Sequence, residues 1–204
     1  MGSKRAVGSA VESFGAASAA IGPITAGMHR FLLTRGQFSM IDMIQHVLAE
    51  VGPASVSVWT WTIASYEVSA VESLIQDGRV RAASLVIDRS VDMRRPGPVR
   101  SWRERFGAGS VKICRNHAKI ARVWTADRRV LIRGSMNLNF NPRFEQADVS
   151  EGCAGYDLVA GVEAALPVLE PGASNAEIDT ASGLGRAFER STLSMFHGLK
   201  TWAK

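Results

Sequence analysis

Cysteine is scarce. The 204 residues hold only Cys114 and Cys153, which are far apart and in no metal-ligand spacing. A disulfide framework is therefore not expected, and a reducing, cytoplasmic compartment is. Long apolar runs are missing as well. No stretch approaches a membrane span, so stable membrane insertion is not expected. At the N-terminus Lys4 and Arg5 precede an Ala/Gly/Ser-rich run to Ala20, which superficially resembles a secretion signal. Glu12 interrupts it, however, and a leucine-rich centre is absent. Residues 1–35 therefore read as a flexible or loosely helical arm. There is no internal repeat.

Acidic residues are scarce in one place. Between Arg79 and Arg133, four Asp or Glu stand against fifteen Lys or Arg, a local net charge of +11 within a chain of +5. From Glu145 onward the balance reverses, with nine acids against four Lys or Arg. A basic middle beside an acidic end points to a polyanionic partner, most often nucleic acid, DNA or RNA. A solvated arginine surface would give the same count.

What is present beside that charge is a pattern of elements. Ser39 is a good N-cap, with Asp42 three residues on as capping-box partner. Ile41, Ile44 and Leu48 follow at helical spacing, and Gly52-Pro53 stops the helix. Ser55 to Ile63 is rich in Val, Trp and Thr and reads as a strand. A helix from Ser65 with Val68, Val71 and Leu74 on one face ends at Gly78, and a strand follows from Val80 to Ile87. This alternation predicts an α/β fold with a largely parallel sheet flanked by helices. Arg94 to Pro98 reads as a loop, Ser101 to Phe106 as a short helix and Val111 to Cys114 as a strand. Lys119 to Thr125 and Val130 to Arg133 read as two strands joined at a turn. Leu158 to Leu169 fits a strand or a helix. Asn175 to Lys200 reads as mainly helical, a C-terminal extension over residues 171–204.

Within the basic stretch stand His117-Ala118-Lys119 and, further on, Gly134-Ser135-Met136-Asn137. His117 and Lys119 are two residues apart, so on a strand they share a face, and Ser135 and Asn137 have the same relation. A neutral imidazole can attack phosphorus. A lysine supplies charge, and a serine and an asparagine supply hydrogen bonds to phosphate oxygens. The residues thus suit a phosphodiester.

They resemble the phospholipase D superfamily. That family's motif is His-x-Lys, then an Asp, then six residues, then Gly-Ser/Gly-x-Asn. His117, Lys119, Asp127, Gly134, Ser135 and Asn137 match it in order, over a domain of about residues 36–170. The resemblance implies a phospholipase D-like mixed sheet and metal-independent phosphodiester cleavage through a phosphohistidine, with no cofactor. His117, Lys119, Ser135 and Asn137 are the implied catalytic residues, and Asp127 and Gly134 the structural ones. The family's Glu, eleven residues past the motif's Asn, falls on Asp148, and Glu145 and Glu151 are alternatives for its role. Seven residues, not four, separate Lys119 from Asp127, which a longer hairpin explains. One motif copy implies a homodimer that shares its site, and single-motif members include small nonspecific nucleases. A phospholipase D-type lipid hydrolase, or an inactive nucleic-acid-binding protein on the same fold, are the alternatives.

Candidate phosphate-binding arginines are Arg94, Arg95, Arg115, Arg122, Arg128 and Arg129. Trp59 and Trp61 read as core packing ahead of base stacking, and Cys114 as a buried apolar residue. His29, His46 and His197 have no partner pattern and read as structural.

Overall fold

The computed structural model describes residues 7–13 and 15–183. In chain order the elements are β1 (Val7–Ser13), α1 (Ala17–Ile21), β2 (Met28–Thr34), α2 (Met40–Val51), β3 (Ala54–Thr60), α3 (Ser65–Gln76) and β4 (Val80–Asp88). There follow α4 (Arg89–Arg94), α5 (Pro96–Phe106), β5 (Val111–Cys114), β6 (Lys119–Trp124), β7 (Arg129–Gly134), β8 (Glu145–Glu151), α6 (Ala154–Ala165) and α7 (Asn175–Ser182). The part of the expected C-terminal helix beyond Gly183, and His197 with it, lies outside the described residues.

The α/β fold expected from the alternation is present. Local chemistry explains the sharpest boundaries. The Asp42 carboxylate accepts from the Ser39 backbone N–H at 2.7 Å and from its hydroxyl at 2.8 Å, which starts α2 at Met40. The Glu67 carboxylate accepts from the Ala64 N–H at 2.8 Å and starts α3 in the same way. Pro96 opens α5, so the expected loop at 94–98 is a change of helix axis at Arg95 and little more.

The strands form one eight-stranded sheet in the order β1-β2-β8-β7-β6-β3-β4-β5. It is mixed, as expected, but not largely parallel. β1/β2, β3/β4 and β4/β5 are parallel, whereas β2/β8, β8/β7, β7/β6 and β6/β3 are antiparallel. Short connections after β6 and β7 force the antiparallel pairings, because a parallel return needs a crossover of a dozen residues or more. Nor are residues 7–34 simply an arm. β2 pairs with β8 through six residue pairs from His29↔Ser150 to Thr34↔Glu145, and β1 adds beside it.

Two layers of side chains cover the sheet. The main core lies on the face packed by α1, α2, α3 and α5, with Leu32, Ile44, Val68, Leu85, Trp102, Val123, Ile132 and Val149 buried there. On the other face α6 covers Trp59, Val86 and Cys114. Among the described residues no helix is long and apolar enough to cross a membrane.

The α6 face is built around one acid. Ser84, Ser57 and Arg122 stand side by side on β4, β3 and β6. The buried Glu163 carboxylate descends from α6 and accepts from all three. The distances are 3.0 Å to Ser84 Oγ, 2.5 Å to Ser57 Oγ and 2.9 Å to Arg122 Nη2. Trp59 Nε1 donates to the same carboxylate at 2.9 Å. Burial pushes this carboxyl up, but the hydrogen bonds from Ser57 and Trp59, with the Arg122 charge, outweigh it and hold the group below its ordinary value. Glu163→Gln leaves the Arg122 charge buried without its counter-ion and lowers stability by about 3 kcal/mol in urea unfolding. The carboxylate's contribution is complete above the ordinary glutamate range and is lost as pH falls through the depressed folded-state value. The substitution therefore also flattens the acid limb of stability against pH.

Candidate active site

Strand directions bring the motif residues to one end of the sheet. β2, β3, β4, β5 and β7 finish there, and β6 and β8 begin there. Open α/β sheets place ligands at the carboxyl ends of their parallel strands, which here are β3, β4 and β5. Lys119 at the start of β6 stands opposite Gly134 at the end of β7, and Gly134 stands opposite Ala147 of β8. Gly134 is required by space. A Cβ built on it would lie 2.2 Å from the Gln146 carbonyl oxygen and 2.9 Å from Ala147 Cα. Ser135 exchanges bonds with Gln146: its N–H donates to the Gln146 carbonyl at 3.0 Å, and its Oγ accepts from the Gln146 N–H at 3.0 Å. Met136 and Leu138 are buried and pin the segment that presents Ser135 and Asn137.

His117 lies on the short link between β5 and β6, with its side chain exposed. Lys119 is buried and reaches back to it. Its Nζ donates to the His117 carbonyl at 2.9 Å and lies 3.3 and 3.4 Å from the two ring nitrogens. Burial lowers the Lys119 pKa, and the Glu145 carboxylate partly offsets that. Glu145 itself accepts from the Ser135 hydroxyl and from Asn141 Nδ2. His117, Lys119, Ser135 and Glu145 thus form one chain of contacts and charge. Asn137 is half-buried beside the start of α2, where its carbonyl accepts from the Met40 N–H at 3.4 Å. Its amide oxygen is buried with no partner among the described residues, so the amide keeps unused hydrogen-bonding capacity.

Two neighbours of His117 were not assigned to the site from the sequence. Asn116 is buried and ties the link down. Its Nδ2 donates to the Thr60 carbonyl at 3.0 Å and to the Ala118 carbonyl at 3.3 Å, and its Oδ1 accepts from the Ala118 N–H at 2.9 Å. Its own N–H donates to Asp88 at 2.8 Å. An asparagine between two strand signals is the only cue the sequence carried. The other neighbour is Trp61, expected in the core with Trp59. Trp59 is buried, but β3 ends at Thr60, and Trp61 stands 42% exposed with its ring centroid 5.9 Å from that of His117.

Other candidate residues lie elsewhere. Asp148 is directed to the opposite face of the sheet from Ala147 and Val149. There its Oδ1 lies 3.0 Å from His29 Nε2, and its Oδ2 lies 3.7 Å from Arg133 Nε. Side-chain alternation makes the reason plain: a residue that faces α6's side cannot also face Lys119. Glu151 pairs with Arg128 at the far end, so Glu145 is the acid of the three that joins the site. His29 is thus hydrogen-bonded to Asp148 near the surface, while His46 Nε2 lies 2.8 Å from the Gly22 carbonyl oxygen. Asp127 sits in the β6–β7 turn, at the other end of the hairpin from Lys119.

Most candidate arginines are engaged within the protein. Arg122 is buried on Glu163, with Trp124 and Tyr156 over its guanidinium, so it is not a surface contact for a polyanion. Arg128 donates to Glu151 and to the Ile24 carbonyl, and Arg129 pairs with Asp157; both lie at the turn end, away from His117. Arg115 pairs with Asp179 of α7. Arg94 and Arg95 are exposed at the His117 end and make no ion pair among the described residues.

Because Glu145 is the group that raises the Lys119 pKa against burial, Glu145→Gln should move that titration to lower pH. The carbon-13 shift of the lysine ε-carbon, followed against pH, reads this directly, and an unchanged titration would show the two groups to be uncoupled.

No family model matches the chain, and no curated protein sequence does. Among solved structures the chain is similar to the phosphatidylserine synthase of Haemophilus influenzae Rd KW20. The TM-score is 0.47 and the identity 17%, over 82% of this chain and 46% of that one. It is also similar to the polyphosphate kinase of Porphyromonas gingivalis. There the TM-score is 0.44 and the identity 16%, over 83% of this chain and 32% of that one. The chain spans less than half the length of either protein.

Proposed function

We propose that the chain is a phospholipase D-type phosphodiesterase, a nuclease that cleaves DNA or RNA through a phosphohistidine at a site completed by a second copy of itself. The observation that carries this is the exposed His117 ring with Lys119 Nζ 3.3 and 3.4 Å from its nitrogens. A buried cation beside an accessible imidazole is the pairing that attack on an anionic phosphodiester requires.

The steps follow from the groups at hand. His117 attacks phosphorus, a nitrogen–phosphorus bond forms, and the bond to the leaving oxygen breaks. Lys119 holds charge against the non-bridging oxygens, and Ser135 and Asn137 supply hydrogen bonds. The leaving oxygen needs a proton, and a second imidazole with an ordinary pKa of about 6.5 can give one near neutral pH. The described residues hold no second histidine at this end of the sheet, since His29 and His46 are bound elsewhere. The partner's copy of His117 would supply the proton and then take one from a water that attacks the phosphohistidine, so that a phosphorus–oxygen bond forms, the nitrogen–phosphorus bond breaks and the phosphate-ended product leaves. For the acid's role, which the family resemblance put on Asp148 with Glu145 and Glu151 as alternatives, Glu145 is favoured by its contact with Ser135 and its charge beside Lys119.

Cleavage of plasmid and of single-stranded DNA in EDTA is the direct test. The wild type should cut and His117→Ala should lose about 10³-fold or more of the rate. Equal behaviour of the two proteins would sink the proposal.

Sharing of the site has its own signature. In wild-type and His117→Ala protein refolded together at varied ratios, a shared site makes activity fall with the square of the wild-type fraction. A linear fall would show that each chain works alone.

A further inference from the structure

Trp61 leans over His117 with its ring at 54° to the imidazole, and one side of it opens on a cavity of about 280 Å³. Trp61, Thr62, Ser90, Val91, Arg94 and Arg95 line this cavity. An exposed tryptophan, two arginines with no acid partner among the described residues and the neighbouring His117 ring are an unusual grouping. The other candidate arginines are tied to Glu163, Glu151, Asp157 and Asp179. Arg94 and Arg95 thus put two exposed positive charges on a wall that also carries an aromatic face.

We propose that this cavity is the subsite for one unpaired nucleotide next to the scissile phosphate, with its base on the Trp61 indole and its outer phosphate on Arg94 and Arg95. The protein would then act on single-stranded nucleic acid. This rests on the phosphodiesterase reading above and narrows its substrate. Every base has a π-face for an indole, whatever the sequence, and stacking of this kind is a main source of single-strand affinity. In a duplex both faces of an internal base are covered by its neighbours, so Trp61 has nothing to stack on unless the base leaves the helix. Guanidinium groups match phosphate geometry. A phospholipid would satisfy the arginines but offers no planar face to the tryptophan.

Binding measured without turnover separates this proposal from the one it rests on. Anisotropy of a labelled single-stranded oligodeoxynucleotide, and of a hairpin duplex of the same composition, would be followed on a His117→Ala background. Trp61→Ala should weaken single-strand binding about tenfold or more, Trp61→Phe should retain most of it, and duplex binding should not change. R94A/R95A should reduce the dependence of log affinity on log salt by about two phosphate contacts. Trp61→Ala that binds the single strand like its parent, or weakens both ligands equally, overturns the subsite. So does a loss seen only on anionic phospholipid vesicles. A wild type that cuts DNA with no dependence on Trp61 would remove the subsite and leave the nuclease intact. Trp61-dependent binding by a wild type that cuts nothing would do the reverse.

Discussion

The Glu163 carboxylate is the constraint on which the arrangement of this protein depends. It is the one acid shared by a row of side chains on three strands, and it also fastens the helix that covers them. A buried charge pair is an uncertain source of stability, because desolvation offsets much of the attraction. Its stronger consequence is register. Ser84, Ser57 and Arg122 meet Glu163 only when β4, β3 and β6 are aligned as they are, and a slip of one residue would turn each of them to the opposite face. The same three strands end or begin at Asp88, Thr60 and Lys119. The acid on one face thereby fixes the relative height of the strand ends that carry the site.

From those ends the site is held by backbone more than by side-chain packing. Asn116 bonds to the carbonyls of Thr60 and Ala118, and its N–H bonds to Asp88, so the link that carries His117 is sewn to β3 and β4. On the other side Gly134 lets β7 and β8 approach more closely than any side chain would permit. Lys119 lies between these two anchors, buried yet cationic, with Glu145 as its nearest compensation. An imidazole on a tethered link is thus held beside a buried lysine that starts the adjoining strand.

Much of this was legible in the chain. The Ser39/Asp42 pair, the Val- and Trp-rich strand, the apolar stripe of α3 and the hairpin after Lys119 are local signals, and each appears where its chemistry placed it. What was not legible depends on partners distant in sequence. β8 reads Glu-Gln-Ala-Asp-Val-Ser-Glu, too polar to announce a strand, and exists because Ala147 and Val149 complete a core supplied by β2 and β7. β2 holds the apolar run Phe31-Leu32-Leu33, but the Ala/Gly/Ser-rich stretch ahead of it, ending at Ala20, hides it within what reads as an arm. Counting residues from a family motif points to Asp148, with Glu145 and Glu151 as alternatives, and only strand alternation shows that Asp148 faces away from Lys119 while Glu145 lies beside Ser135. Trp61 looked like Trp59 because the strand signal does not say that β3 stops one residue before it. Net charge does not say where each basic residue points: the fold uses several of the fifteen to neutralise its own acids.

The hairpin between β6 and β7 has its turn at 125–128 and its chemistry at the opposite end. Residues added or removed there change the length of the loop without moving Lys119 relative to Gly134. The distance along the chain from Lys119 to Gly134 can therefore change at the turn while the strand register keeps the two residues opposite each other. The seven residues between Lys119 and Asp127 belong to the length of this hairpin and not to the end that carries His117.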